Sequence, residues 1–178
     1  SGDIAAVSTT CMREGIILYD KNGKELWACA NVDARSTAEV IQLKKMSPTL
    51  EHELYLESGQ TYSLSALPRI LWVKNNLPDV YEKTAAVGMF NDWLIYKMSG
   101  KLAVEPSNGS TSGLFSLATR TWDKTIAERC GLKSDIFPES KECGTLAARV
   151  SREGEKETGL KEGTPLIVGG GDAQLGTI

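Results

Sequence analysis

Three short segments hold the residue types from which hydroxyl chemistry can be built. The first is Gly169-Gly170-Gly171-Asp172, an acid behind three glycines. The preceding Pro165-Leu166-Ile167-Val168 reads as a buried strand, so the acid is expected at a strand's carboxyl end, where ligands commonly bind in α/β sheets. Glycine tolerates positive φ and lets a ligand come close to the backbone. An Asp held there can accept a proton from a substrate hydroxyl. The same spacing also suits a plain surface turn, and neither the G-x-x-x-x-G-K-[ST] phosphate loop nor a G-x-G-x-x-G fingerprint is present at this corner.

The second and third segments are Met12-Arg13-Glu14, behind the first expected strand, and Asn31-Val32-Asp33-Ala34-Arg35, behind the third. Both are expected at the edge of one sheet. Arginine donates and carboxylates accept hydrogen bonds from vicinal hydroxyls, which suits a polyol, while a structural ion pair at the sheet rim accounts for the same residues. His52, the only histidine, lies in the polar Glu51-His52-Glu53 and is expected in solvent; nothing near it resembles a nucleophile elbow. Asp92, just before Trp93, is expected to cap a helix.

The elements that must position these groups alternate between strand and helix. Ile4–Ser8 reads as a buried strand and Gly15–Tyr19 as the next, followed by an Asn22-Gly23 turn and a returning strand over Leu26–Ala30. Ser36-Thr37-Ala38-Glu39 matches a capping box opening a helix. Further helices are expected over Leu50–Ser58, Ala66–Asn75, Asn91–Ser99, Thr121–Cys130 and Ser151–Thr158, most of them stopped by glycine, the last weakened by Gly154. Ala85–Phe90 reads as a buried strand. The alternation implies an α/β or α+β domain without internal repeats.

A chain of 178 residues has room for one ordinary domain. With 41% hydrophobic and 24% charged residues it is neither disordered, collagen-like nor membrane-spanning in composition. A formal charge of -3 provides no global field for nucleic acid or an anionic membrane, leaving a small molecule or a protein as the expected partner. Cys11, Cys29, Cys130 and Cys143 lack C-x-x-C spacing and read as reduced thiols, mostly core fillers, which suggests a cytoplasmic setting. The tryptophans, Trp27, Trp72, Trp93 and Trp122, are scattered as core anchors rather than as a stacking platform. The abrupt start of strand-like sequence at Ile4 suggests a piece of a longer chain.

In their order along the chain these segments resemble the FGGY family of carbohydrate kinases. The resemblance runs from Ile4 to Ile178 and is carried by Met12-Arg13-Glu14-Gly15, a D-x-x-G hairpin turn, Asn31-Val32-Asp33-Ala34-Arg35, Asn91-Asp92-Trp93-Leu94, Ser107-Asn108 before Leu114-Phe115, Thr121-Trp122-Asp123 and Gly169-Gly170-Gly171-Asp172. Within the family, Ser8–Gly15, Trp27–Arg35 and Gly169–Gly176 look most like the branch that acts on autoinducer-2.

The resemblance implies a ribonuclease H-like, actin-type α/β fold, a mixed sheet flanked by helices. Residues 1–178 would be most of the substrate-binding N-terminal domain, without the family's opening D-x-G-T-[ST] phosphate hairpin and without its adenosine-binding second domain. It also implies ATP and Mg2+ in the intact enzyme, and inactivity of this piece alone. By resemblance Asp172 is the catalytic base. Arg13 and Glu14 match the polyol-gripping pair, Asp33 the acid of a W-x-D-x-R pattern, and Met12, Asn31 and Gln174 further substrate contacts. Gly170 and Gly171 are assigned to the cofactor; metal ligands are left unassigned. Asn31 stands where many sugar kinases have tryptophan, exchanging an apolar wall for an amide and implying a more polar substrate such as linear dihydroxypentanedione. Two alternatives remain: a kinase for xylulose, ribulose or a tetritol, and a non-catalytic sugar-binding or scaffold module. A sheet lacking a hairpin exposes an edge through which copies could pair.

Overall fold

The computed structural model describes residues 2–177, the side chain of residue 64 excepted. In chain order the elements are β1 (Val7–Cys11), β2 (Ile16–Tyr19), β3 (Glu25–Cys29), α1 (Thr37–Met46), α2 (Leu50–Ser58), α3 (Leu67–Asn76), α4 (Pro78–Lys83) and β4 (Ala86–Met89). They continue with α5 (Phe90–Ser99), α6 (Pro106–Gly109), β5 (Phe115–Ser116), β6 (Thr121–Trp122), α7 (Lys124–Arg129), β7 (Leu146–Arg149), α8 (Arg152–Thr158), β8 (Pro165–Gly171) and α9 (Asp172–Leu175).

Among the described residues the strands form three ladders. In the mixed ladder β1-β8-β7, β1 runs parallel to β8 and β7 antiparallel to it. In β3-β2-β4 both pairings are antiparallel, and β5 pairs with β6. As expected, Met12–Glu14 and Asn31–Arg35 meet at one sheet end: Met12–Glu14 leads into β2, and Ile16 of β2 pairs with Cys29, the last residue of β3. The first segment also follows β1, which belongs to the other three-stranded ladder.

Every residue of β2 is buried, as its unbroken apolar run requires of a central strand. Ile16 and Leu18 join Leu43, Leu54, Tyr62, Leu67, Ile70, Val87 and Phe115 in the main core, each large side chain contributing about 1.5–3 kcal/mol by leaving water. The first strand differs from expectation. β1 starts at Val7 rather than Ile4, its residues alternate between half-buried and exposed, and Ile4 is exposed. Among the described residues β1 pairs only with β8, which leaves its other edge unpaired.

The glycine stops at Gly59, Gly100 and Gly159 all adopt left-handed backbone after α2, α5 and α8. Gly23 does the same in the β2–β3 turn. Three local expectations fail for identifiable reasons. Ser36 precedes α1 but makes no side-chain cap; Glu39, instead of reaching back, is buried and accepts from Asn75 Nδ2 at 3.1 Å. Thr121–Trp122 is a strand rather than helix, because Phe115 and Ser116 pair with it; α7 begins only after Asp123, whose Oδ1 accepts from Ile126 N at 3.0 Å. Gly154 does not weaken α8 idly: a Cβ there would stand 2.2 Å from Met98 O, so its absence lets α8 pack onto α5.

The cysteines are free, with Cys29 and Cys130 buried in the core, Cys11 half-buried and Cys143 exposed. His52 is exposed, as expected. Among the described residues no helix is long and apolar enough to cross a membrane.

Candidate active site

The parallel register of β1 and β8 pairs Cys11 with Gly171. Both strands therefore end side by side, and the residues that follow them, Met12-Arg13-Glu14 and Asp172, leave the sheet at the same corner. The glycines make this possible, though not through positive φ, which none of the three adopts. Their service is close approach. A Cβ on Gly169 would stand 1.7 Å from Thr9 O, and one on Gly171 would stand 2.8 Å from Arg13 Cγ and 2.6 Å from Gln174 Oε1. Arg13 and Gln174 thus both lie across the backbone of Gly171, immediately before the acid. Asp172 opens α9 and is exposed; its Oδ1 accepts from Ala173 N at 2.8 Å.

Beneath this corner lies a buried polar support. Gly171 N donates to Ser107 Oγ at 3.0 Å, and that hydroxyl donates to Glu105 Oε2 in a short bond. Glu105 is buried and also accepts from Ser107 N at 2.8 Å and Asn108 N at 3.1 Å, capping the short α6. Asp92 is buried nearby and accepts from Met89 N at 3.2 Å, which bears out its capping of α5. Burial holds the Asp92 carboxyl well above the usual carboxylate range, with the Glu105 charge adding to the effect. Burial likewise pushes the Cys11 thiol up to about 12, the nearby Asp92 and Asp172 carboxyls adding to the rise, so Cys11 stays a thiol at neutral pH.

This support bears on Gly170 and Gly171, which the resemblance assigns to the cofactor. Both are buried, and the Gly171 amide is already bonded to Ser107 Oγ. The Gly171 amide therefore does not fit a phosphate cradle, which needs amides facing the ligand. Nor is there, among the described residues, a group of three His, Cys, Asp or Glu side chains arranged to hold a metal.

The other candidates are gathered by a residue that the sequence reading passes over. Arg69, near the start of α3 and only 2% exposed, donates from Nη1 to Glu14 O at 2.9 Å, from Nη2 to Asn31 O at 2.6 Å and from Nε to Asp33 O at 3.2 Å. A cation inside the otherwise apolar stretch Ala66-Leu67-Pro68-Arg69-Ile70-Leu71-Trp72 was the available signal. Glu14 takes a left-handed backbone, φ 68°, rare for a residue other than glycine. Burial raises its carboxyl above the ordinary value, and Arg13 and Arg69 offset part of that rise.

Asp33 answers to the ion-pair reading. Its carboxylate grips Arg35 bidentately, Oδ1 to Nε at 2.8 Å and Oδ2 to Nη2 at 2.8 Å. Burial alone would raise its carboxyl, but the Arg35 bonds outweigh this and hold it below the usual range. The Arg35 guanidinium in turn lies 4.8 Å from the centre of the Trp72 ring and 5.7 Å from that of Trp27. The loop between β3 and α1 is thus pinned at its backbone by Arg69 and at its side chains by Arg35. At its tip Val32 is 85% exposed, and Met12, on the neighbouring loop, is exposed as well.

An exposed acid at the carboxyl end of a parallel strand thus shares one corner of the sheet with Arg13 and Gln174. The chain belongs to the FGGY family of carbohydrate kinases: the description of that family's N-terminal domain matches residues 1–178. Among curated relatives, the Autoinducer-2 kinase of Salmonella typhimurium is 50% identical over 176 residues, which is 98% of this chain and 33% of that protein. The chain thus spans about a third of the length of the curated relatives it matches. The fold is that of solved sugar kinases. The gluconate kinase from Lactobacillus acidophilus superposes with a TM-score of 0.88 at 21% identity, covering 98% of this chain and 36% of that one. The xylulose kinase from Rhodospirillum rubrum does so with a TM-score of 0.88 at 20% identity, covering 95% and 35%.

Proposed function

We propose that the full protein is an ATP-dependent kinase for autoinducer-2 in its linear dihydroxypentanedione form, and that this chain supplies the acceptor side of its active site. The relatives' name supports the substrate. The observation that carries the chemistry is the Cys11–Gly171 register, which puts Arg13 against the backbone of Gly171 and next to Asp172.

In this reading the primary hydroxyl of the sugar sits against Asp172. Oδ1 is held by Ala173 N, which leaves Oδ2 to take the hydroxyl proton as the oxygen becomes nucleophilic. Arg13 and Gln174 orient the chain of oxygens, and Glu14 accepts from a neighbouring hydroxyl. The nucleotide supplies the transferable phosphoryl group; the Gly171 amide, bonded to Ser107, does not hold it. Phosphoryl transfer depends mainly on alignment and charge neutralisation, so a base and a rigid acceptor pocket are what this part must contribute.

The decisive comparison is the phosphorylation rate of the full-length enzyme on dihydroxypentanedione against xylulose and ribulose. A greater kcat/KM on a pentulose overturns the assignment of the substrate. For the site, Arg13→Ala in the full-length enzyme is expected to raise the acceptor KM by about tenfold or more, the equivalent of about 1–3 kcal/mol for a polar group that loses its partner. A KM at the wild-type value makes Arg13 a structural residue only.

A further inference from the structure

We infer that Arg69 is a positioning residue for acceptor binding: one buried guanidinium sets the relative placement of the two loops that present Arg13 and Glu14 on one side and Asn31 on the other. The inference rests on the kinase reading above for what the loops bind, and on geometry alone for how they are held.

The strand pairing brings the two loops to the same end, since Ile16 of β2 pairs with Cys29 of β3, but it stops at those residues and leaves the loops themselves without a ladder. Met12–Glu14 lies between β1 and β2 and Asn31–Arg35 follows β3, so both extend beyond the paired strand ends. Arg69 bridges them. Its three nitrogens donate to Glu14 O on the first loop and to Asn31 O and Asp33 O on the second. The planar, forked guanidinium fixes the directions of these bonds as an ammonium cannot.

The base of the clamp is rigid. Leu67, Ile70, Leu71 and Val73 of α3 are buried around Arg69, with Pro68 in the first turn. A buried cation is costly unless compensated. Yet among the described residues no carboxylate lies within ion-pair distance of Arg69; its compensation comes from backbone carbonyls. An arginine required only for stability is better matched with an acid or replaced by an apolar side chain. Two further details fit a positioning duty. Glu14 keeps its left-handed backbone at the carbonyl that Arg69 holds. Asn31 and Asp33 are held on either side of Val32, so that Val32 is turned outward at the loop tip.

The test uses the full-length enzyme with Arg69→Met, which preserves an apolar stem, and Arg69→Lys, which preserves a charge but not the fork. Hydrogen exchange is measured over residues 12–15 and 31–35, alongside the KM for the sugar and the KM for ATP. Arg69→Met is expected to speed exchange in both loops by about tenfold or more while β2 and β4 keep their protection. It is also expected to raise the acceptor KM by about tenfold or more with the ATP KM unchanged, and Arg69→Lys should fall between it and wild type. Unchanged exchange in both loops overturns the inference, as does an even acceleration throughout the domain with both KM values rising together. If Arg69→Met does not yield folded enzyme, the same readouts on Arg69→Lys decide. Should wild type favour a pentulose, the substrate assignment falls but the KM split is read on that pentulose; exchange is read whatever the substrate.

Discussion

Asp172→Asn in the full-length enzyme is expected to cut kcat by ~10²–10⁴, the usual share of general-base catalysis, with the acceptor KM little changed. The substitution keeps the size of the side chain and an oxygen able to accept from Ala173 N, so the corner formed by β1, β8 and α9 stays intact. What it removes is the ability to take a proton from a hydroxyl in the transition state. An interaction present only in the transition state lowers kcat and kcat/KM together, and steady-state kinetics with the acceptor varied separates this from a loss of binding. Because Asp172 is exposed, at the end of a strand and with little packing of its own, the melting temperature should stay near wild type. Unchanged kcat would remove Asp172 from the base role and leave the Arg13–Gln174 corner a binding feature only.

The largest expected structural effect belongs to Gly169→Ala. The new Cβ would stand 1.7 Å from Thr9 O, 2.8 Å from Thr9 C and 3.0 Å from Ser8 Oγ. The first two are backbone atoms of the paired strand, so no rotamer change relieves the clash. β1 and β8 must part at the irregular register between Ser8 and Thr10, and the corner that holds Arg13 beside Asp172 opens with them. A loss of about 3–5 kcal/mol is expected, in the range of severe core disruptions. For a domain of this size that corresponds to a fall in melting temperature of about 10 °C or more. Thermal unfolding of the variant followed by circular dichroism checks it; a melting point matching wild type would show that β1 can shift without cost. Catalysis should suffer even in molecules that stay folded, since Asp172, the proposed base, is carried on the displaced strand end.

The contrast between these two substitutions also divides what is local from what is not. Asp172 at a strand end, the Asn22-Gly23 turn, the buried β2 run and the glycine stops after α2, α5 and α8 were legible because each depends on neighbours in sequence: a dihedral preference, an apolar run or a missing Cβ acts within a few residues. The order of motifs likewise carried the family, since a family is a pattern along the chain. Errors arose where a partner distant in sequence intervenes. Trp122 joins a strand because Phe115 lies opposite, Glu39 abandons a cap for Asn75, and Gly154 matters because Met98 passes within contact.

Within the site the same division holds. The sequence by itself determined which residue types are available for hydroxyl chemistry, and that an acid would follow a glycine-rich strand. It also showed that a W-x-D-x-R-like segment carries Asn31 in place of an aromatic wall. Only the tertiary structure decided that Arg13 lies across Gly171, that the carboxylate of Asp33 is committed to Arg35, that the Gly171 amide is taken by Ser107, and that Arg69 holds the two loops together. The physical reason is that hydrogen bonds and close packing are made by whichever groups the fold brings within reach. Arg69 and Glu14 are 55 positions apart in the chain, and no local preference records their meeting.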